Sequence, residues 1–200
     1  ERNVLDRYYN AAIKYDVNNI LRITGDCPLV DVDIVNKAID IYFKKKADYV
    51  SNVNPASFPD GLDVELFNFK SLRKSWKNWN NSFQKEHVTQ YILNNENIRK
   101  FNFSNRTDLS NERWTLDTRE DLMLLRYIFN YFKPNLYFSW KNVLKLKKKN
   151  PTNFKINSKY DRNFGMKINK GQKYWSRAKN IIAGGNHLFT KRPEMFLPNI

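Results

Sequence analysis

Residues 19–31, N-I-L-R-I-T-G-D-C-P-L-V-D, constrain this chain more than any other stretch. Ile20, Leu21 and Ile23 read as a short buried strand that Thr24-Gly25 ends in a turn. Asp26 is left at the strand's carboxyl end, with Pro28 blocking further pairing. That is where α/β sheets place ligand chemistry. The pattern recurs: residues 113–116 (R-W-T-L) read as a strand, Asp117 follows it, and Thr118 with Asp121 forms a capping box opening an apolar helix. Two carboxylates at two strand ends suggest one metal between them. The other reading of the spacing is that both residues simply cap helices.

Mg²⁺ favours oxygen ligands, commonly one or two carboxylates with phosphate and water completing the shell. The sequence has no H-E-x-x-H, no cysteine cluster and no G-x-x-x-x-G-K-[ST], so magnesium-assisted phosphate chemistry is the economical expectation. Cys27, the single cysteine, has no evident partner base and is expected to be a bystander.

The 200 residues suffice for one medium domain and a tail, and 41% hydrophobic with 15% aromatic residues can build a core. The formal charge of +15 raises the question of a nucleic-acid partner. The lysine runs at 44–46 and 145–149 fall near expected helix ends, where cations complement the helix dipole in solvent, so no nucleic acid is expected. No run of about eighteen apolar residues and no secretory leader is visible, and a lone cysteine forms no internal disulfide; a cytoplasmic protein without a membrane span is expected.

In chain order, residues 4–15 form an amphipathic helix with Val4, Leu5, Tyr8, Ala11, Ala12 and Tyr15 on one face. Asp31 caps a second helix, and residues 48–51 make a second strand. A loop at 54–61 leads into 62–66, whose alternation puts Asp63 and Glu65 on one face, as either a sugar or cation contact or an exposed strand surface. Helices follow at 69–79 and from Ser82, the latter carrying Glu86 and His87. His87 is either a buried, hydrogen-bonded histidine or a substrate contact. Residues 99–105 alternate as a strand, and Ser139 caps the helix that ends in the second lysine run. Periodicity disappears over 147–172, which reads as a mobile linker.

Six motifs together are distinctive: V-L-D-R-Y-Y-x-A-A (4–12), R-I-T-G-D-C-P-L-V-D (22–31), Y-V-S-N (49–52), F-P-D-G-L-D-V-E (58–65), E-H-V-T (86–89) and R-W-T-L-D-T-x-E-D-L (113–122). In this order they resemble the spore coat polysaccharide-type cytidylyltransferases, which are similar to the CMP-Kdo and CMP-acylneuraminate synthetases. The resemblance implies an α/β, Rossmann-like nucleotidyltransferase (GT-A-like) sheet. In its reaction a sugar or sugar-acid oxygen attacks the α-phosphate of CTP and releases pyrophosphate, for surface polysaccharide synthesis. It makes Asp26 and Asp117 the Mg²⁺ ligands and places Arg22, Asp63, Glu65, Glu86 and His87 in the substrate pocket; a homodimer is compatible with it. A nucleotide- or nucleic-acid-binding relic without catalysis is the competing expectation.

The family's basic phosphate-binding loop has no counterpart here and is expected upstream of Glu1, so the 200 residues alone are expected to be catalytically silent. Residues 174–187, Y-W-S-R-A-K-N-I-I-A-G-G-N-H, resemble the opening of class III aminotransferases of the glutamate-1-semialdehyde aminomutase type. That resemblance implies pyridoxal phosphate only for a portion beyond Ile200. The expected organisation is a cytidylyltransferase-like domain at 1–146, the linker at 147–172, and the start of an aminotransferase-like domain at 173–200.

Overall fold

A four-stranded mixed sheet with helices against both faces forms the body of the protein, seen in a computed structural model that describes residues 3–80, 82–162 and 164. The strands are β1 (Asn19–Arg22), β2 (Tyr49–Ser51), β3 (Glu65–Asn68) and β4 (Lys100–Asn102), in the order β1-β3-β2-β4. β3 pairs antiparallel with β1 and β2, whereas β2 and β4 run parallel.

Strand alternation divides the core. Val50 and Leu66 face one apolar cluster with Ile34, Ala38, Trp114, Leu124 and Ile128, while their neighbours Tyr49 and Phe67 face another with Leu5, Leu72 and Ile92. The first cluster is closed by α2 (Val32–Lys44), α6 (Arg119–Phe132) and α7 (Trp140–Lys149). The second is closed by α1 (Val4–Lys14), α3 (Phe69–Asn78) and α5 (Gln90–Asn94). Burying one such side chain contributes about 1.5–3 kcal/mol, so the two faces together carry the fold.

Helix starts follow the sequence closely. Asp31 accepts the N–H groups of Asp33 and Ile34 to open α2, and its other oxygen accepts that of Trp140, tying α7 to the same residue. Thr118 with Asp121 and Ser139 with Asn142 form capping boxes on α6 and α7.

Five expectations are corrected. Residues 113–116 join no strand; they run extended with a single parallel bridge between Asp60 and Arg113, because the Trp114 N–H goes to the Asp60 carbonyl and the Leu116 N–H to that of Asp26, both in loops rather than in the sheet. β1 is an edge strand with Leu21 38% exposed, not a fully buried one. The strand expected at 62–66 is instead Glu65–Asn68, and Glu65 is buried rather than on an exposed face. The helix from Ser82 is broken into α4 (Ser82–Glu86) and α5 by a turn around His87. On α1 the apolar face is narrower than its pattern, with Tyr15 70% exposed.

The expected linker is altered as well. Residues 147–149 complete α7, a 3-10 turn spans Asn153–Lys155, and Phe154 and Asn157 are buried; residues through Arg162 belong to the same compact unit as the sheet. Scattered apolar residues suffice here because Phe154 drops into a site between Trp114 and Tyr127. The expectations for residues beyond 164, including the stretch at 174–187, lie outside the described residues.

Candidate active site

After β1 the chain folds into short turns, with Cys27 N–H donating to Thr24 O and Val30 N–H to Cys27 O. These turns present Asp26 to a second segment. Its carbonyl accepts the Leu116 N–H at 2.8 Å and the Thr115 hydroxyl at 3.1 Å. The two segments that carry Asp26 and Asp117 therefore lie side by side. Burial pushes the Cys27 thiol up to about 12, which removes it as a nucleophile at neutral pH.

The sequence did not announce the centre of this junction, the buried guanidinium of Arg113. Its Nε and Nη2 grip both oxygens of Asp121 at 3.0 and 2.9 Å, Nη2 also reaches Asp117 Oδ2 at 2.7 Å, and Nη1 reaches Asp60 Oδ2 at 3.2 Å. Asp121 is fully buried, and it also accepts the backbone N–H groups of Asp117 and Thr118 and the amide of Asn157. Burial alone would raise the Asp121 carboxyl, but the bonds from Arg113 and Asn157 outweigh it and hold the group below the usual carboxylate range. Asp60 moves the other way, because burial outweighs its attraction to Arg162 and Arg113. The 113-117-121 spacing was the available signal; reading 113–116 as a strand concealed it.

Gly61 allows the loop at 58–63 to reach this junction. Its φ is +98°, and a Cβ there would lie 2.7 Å from the carbonyl carbon and oxygen of Trp114. Only glycine fits both the backbone angle and the approach.

Of the other expected site residues, Arg22 and Glu65 meet directly as an ion pair across the β1–β3 register. Tyr49 donates its phenol proton to the second oxygen of Glu65 at 2.6 Å. Arg22 Nε is buried and lacks a hydrogen-bond partner among the described residues. His87 lies within the field of both Arg22 and Glu65; burial, reinforced by Arg22, holds its imidazole below the usual value and hence neutral at pH 7. Asp63 is turned to a different partner, Arg162, which also donates to the carbonyl of Phe58 at 3.1 Å. Glu86 faces solvent. Among the described residues no group of three or more His, Cys, Asp or Glu side chains forms a self-sufficient metal cage.

A family model described as cytidylyltransferase matches residues 1–159. Uncharacterized protein MJ1063 of Methanocaldococcus jannaschii is 37% identical over 161 residues, covering 79% of this chain and 65% of that protein. Spore coat polysaccharide biosynthesis protein SpsF of Bacillus subtilis is 28% identical over 156 residues, covering 76% and 63% respectively. The structure of a cytidylyltransferase from Leptospira borgpetersenii superposes with a TM-score of 0.73 at 31% identity, over 76% of this chain and 65% of that one. The chain thus spans a little under two thirds of the length of the curated relatives it matches. With the family model matching most of its length and the fold agreeing, this chain belongs to the cytidylyltransferase family.

Proposed function

We propose that this chain supplies the acceptor and metal side of an enzyme that transfers CMP from CTP to a hydroxyl of a sugar or sugar acid, releasing pyrophosphate. The observation that carries the reading is the junction in which Asp26 O receives the Leu116 N–H, setting Asp26 beside the turn that holds Asp117. Two carboxylates on neighbouring loops suit Mg²⁺, which keeps most of its shell for phosphate and water. Asp26 and Asp117 would hold the ion, and bound there it would neutralise charge on the phosphates.

The protein's own contribution is positioning. Arg113 fixes the Asp117 carboxylate against α6, and the Arg22, Glu65 and Tyr49 group offers charged and hydroxyl-binding atoms beside neutral His87. No protein nucleophile is required, because the acceptor oxygen itself attacks phosphorus. SpsF is named for spore coat polysaccharide biosynthesis, which supports a product destined for surface polysaccharide.

The test is pyrophosphate release by the full-length protein incubated with CTP, Mg²⁺ and a panel of sugars and sugar acids. Release should require both metal and acceptor, and Asp26→Asn and Asp117→Asn should each lower it by at least about a hundredfold. Full activity in either variant would exclude the assignment.

A further inference from the structure

Residues 150–162 return from the end of α7 to the loop at 58–63, and their last described side chain before position 163 reaches furthest. Phe154 anchors this strap in the core beside Trp114. Asn157 donates to the carbonyl of Arg113 at 2.9 Å and to Asp121 Oδ1 at 2.7 Å. Arg113 in turn donates to the carbonyl of Asp161 at 3.4 Å. These bonds deliver Arg162 to the loop, where Nη2 pairs with Asp63 Oδ1 and Nη1 binds the Phe58 carbonyl. The guanidinium therefore bridges both ends of the Phe-Pro-Asp-Gly-Leu-Asp turn. Its side chain is only 15% exposed, and that of Asp63 is 28% exposed. Arg162 lies just past the stretch that the family model matches.

We propose that Arg162 is a positioning residue for Asp63, clamping the 58–63 turn in the shape that an acceptor hydroxyl meets. The proposal deepens the transfer reading and rests on it for the identity of the acceptor. A two-point guanidinium grip fixes direction as well as charge, which a lysine cannot reproduce. The groups facing Asp63 explain why such a clamp is needed. Burial, together with Asp60 and Glu65, raises the Asp63 carboxyl to about 6, and Arg162 opposes them by charge and hydrogen bond. The Cys27 thiol, in the same field, is uncharged at neutral pH. Without Arg162, Asp63 would hold its proton near neutral pH and would lose the carboxylate charge that lets it accept a strong bond from an acceptor hydroxyl.

The experiment is a ¹³C carboxyl titration of the full chain, with Asp63 assigned through Asp63→Asn, in wild type, Arg162→Ala and Arg162→Lys. The wild-type midpoint should lie near 6. Arg162→Ala should move it up by about one unit or more, and Arg162→Lys should restore part of that shift. An unmoved midpoint would overturn the clamp, and a purely structural Arg162 would lower Tm without moving it.

In the full-length enzyme, the acidic limb of kcat/KM for the acceptor should rise with the Asp63 midpoint in Arg162→Ala, while KM for CTP stays unchanged. A limb that ignores the midpoint would overturn the positioning role. A wild-type protein that turns over no CTP with any acceptor would refute the transfer reading alone, and the titration would still decide the clamp.

Discussion

Asp121 shows how much a single buried carboxylate organises here. It has no exposed surface and receives bonds from Arg113, Asn157 and two backbone amides. Asp121→Asn leaves the Arg113 guanidinium under-compensated in the core and should cost about 3–5 kcal/mol in urea unfolding. Because the folded-state pKa of Asp121 lies below its unfolded value, its stabilisation is complete above the ordinary carboxylate range and is lost as pH falls through the folded pKa. Acid unfolding should therefore be less steep in the variant; an unchanged slope would count against the network. Asp63 has the opposite sign: its raised pKa makes the ionised form a cost at neutral pH, relieved as pH falls below about 6. Gly61→Ala should cost at least about 2 kcal/mol, since the new Cβ meets Trp114 backbone at 2.7 Å at a positive φ; a Tm within a degree of wild type would contradict it. The caps at Asp31, Thr118 and Ser139 were legible in the sequence because their chemistry is local. The Asp60 partner of Arg113 and the partners of Arg162 were not, since contacts across 50 or more positions leave no periodic trace; Asp117 and Asp121, four and eight positions from Arg113, were concealed only by reading 113–116 as a strand.

At the scale of elements, the strands and helices that alternation and spacing revealed are those with one apolar face, such as α2 and α6. The strand expected at 113–116 misled because its alternating Trp114 and Leu116 resemble a β pattern, while their backbone N–H groups go to the loop carbonyls of Asp60 and Asp26 and not to a ladder. The strap misled in the other direction. Its Asn and Lys content suggests a mobile linker, yet one aromatic anchor and one buried amide dock it. Limited proteolysis of the native protein should spare 147–162 for as long as it spares the sheet. Early cleavage at Lys155 or Lys159, with the rest of the unit intact, would show that the strap is not docked.

For the whole molecule the formal charge is +15; among the described residues, lysines 44–46 at the end of α2 are exposed, and Lys147 is paired with Glu112. No helix among the described residues is long and apolar enough to cross a membrane. Among the described residues five aspartates gather about the junction: Asp60, Asp117 and Asp121 pair with Arg113, Asp63 pairs with Arg162, and Asp26 acts on Asp60 by charge, so carboxylates outnumber the arginines that meet them. That excess is what a divalent cation would offset while leaving its remaining positions to a triphosphate, and it is the physical link between fold and proposed reaction. The most direct measurement is electron paramagnetic resonance of Mn²⁺, substituted for Mg²⁺, binding to the full-length protein with CTP present. Wild type should take up the ion at one site, and Asp26→Asn and Asp117→Asn should each weaken binding by tenfold or more. Equal Mn²⁺ affinity in all three proteins would contradict a metal shared by Asp26 and Asp117.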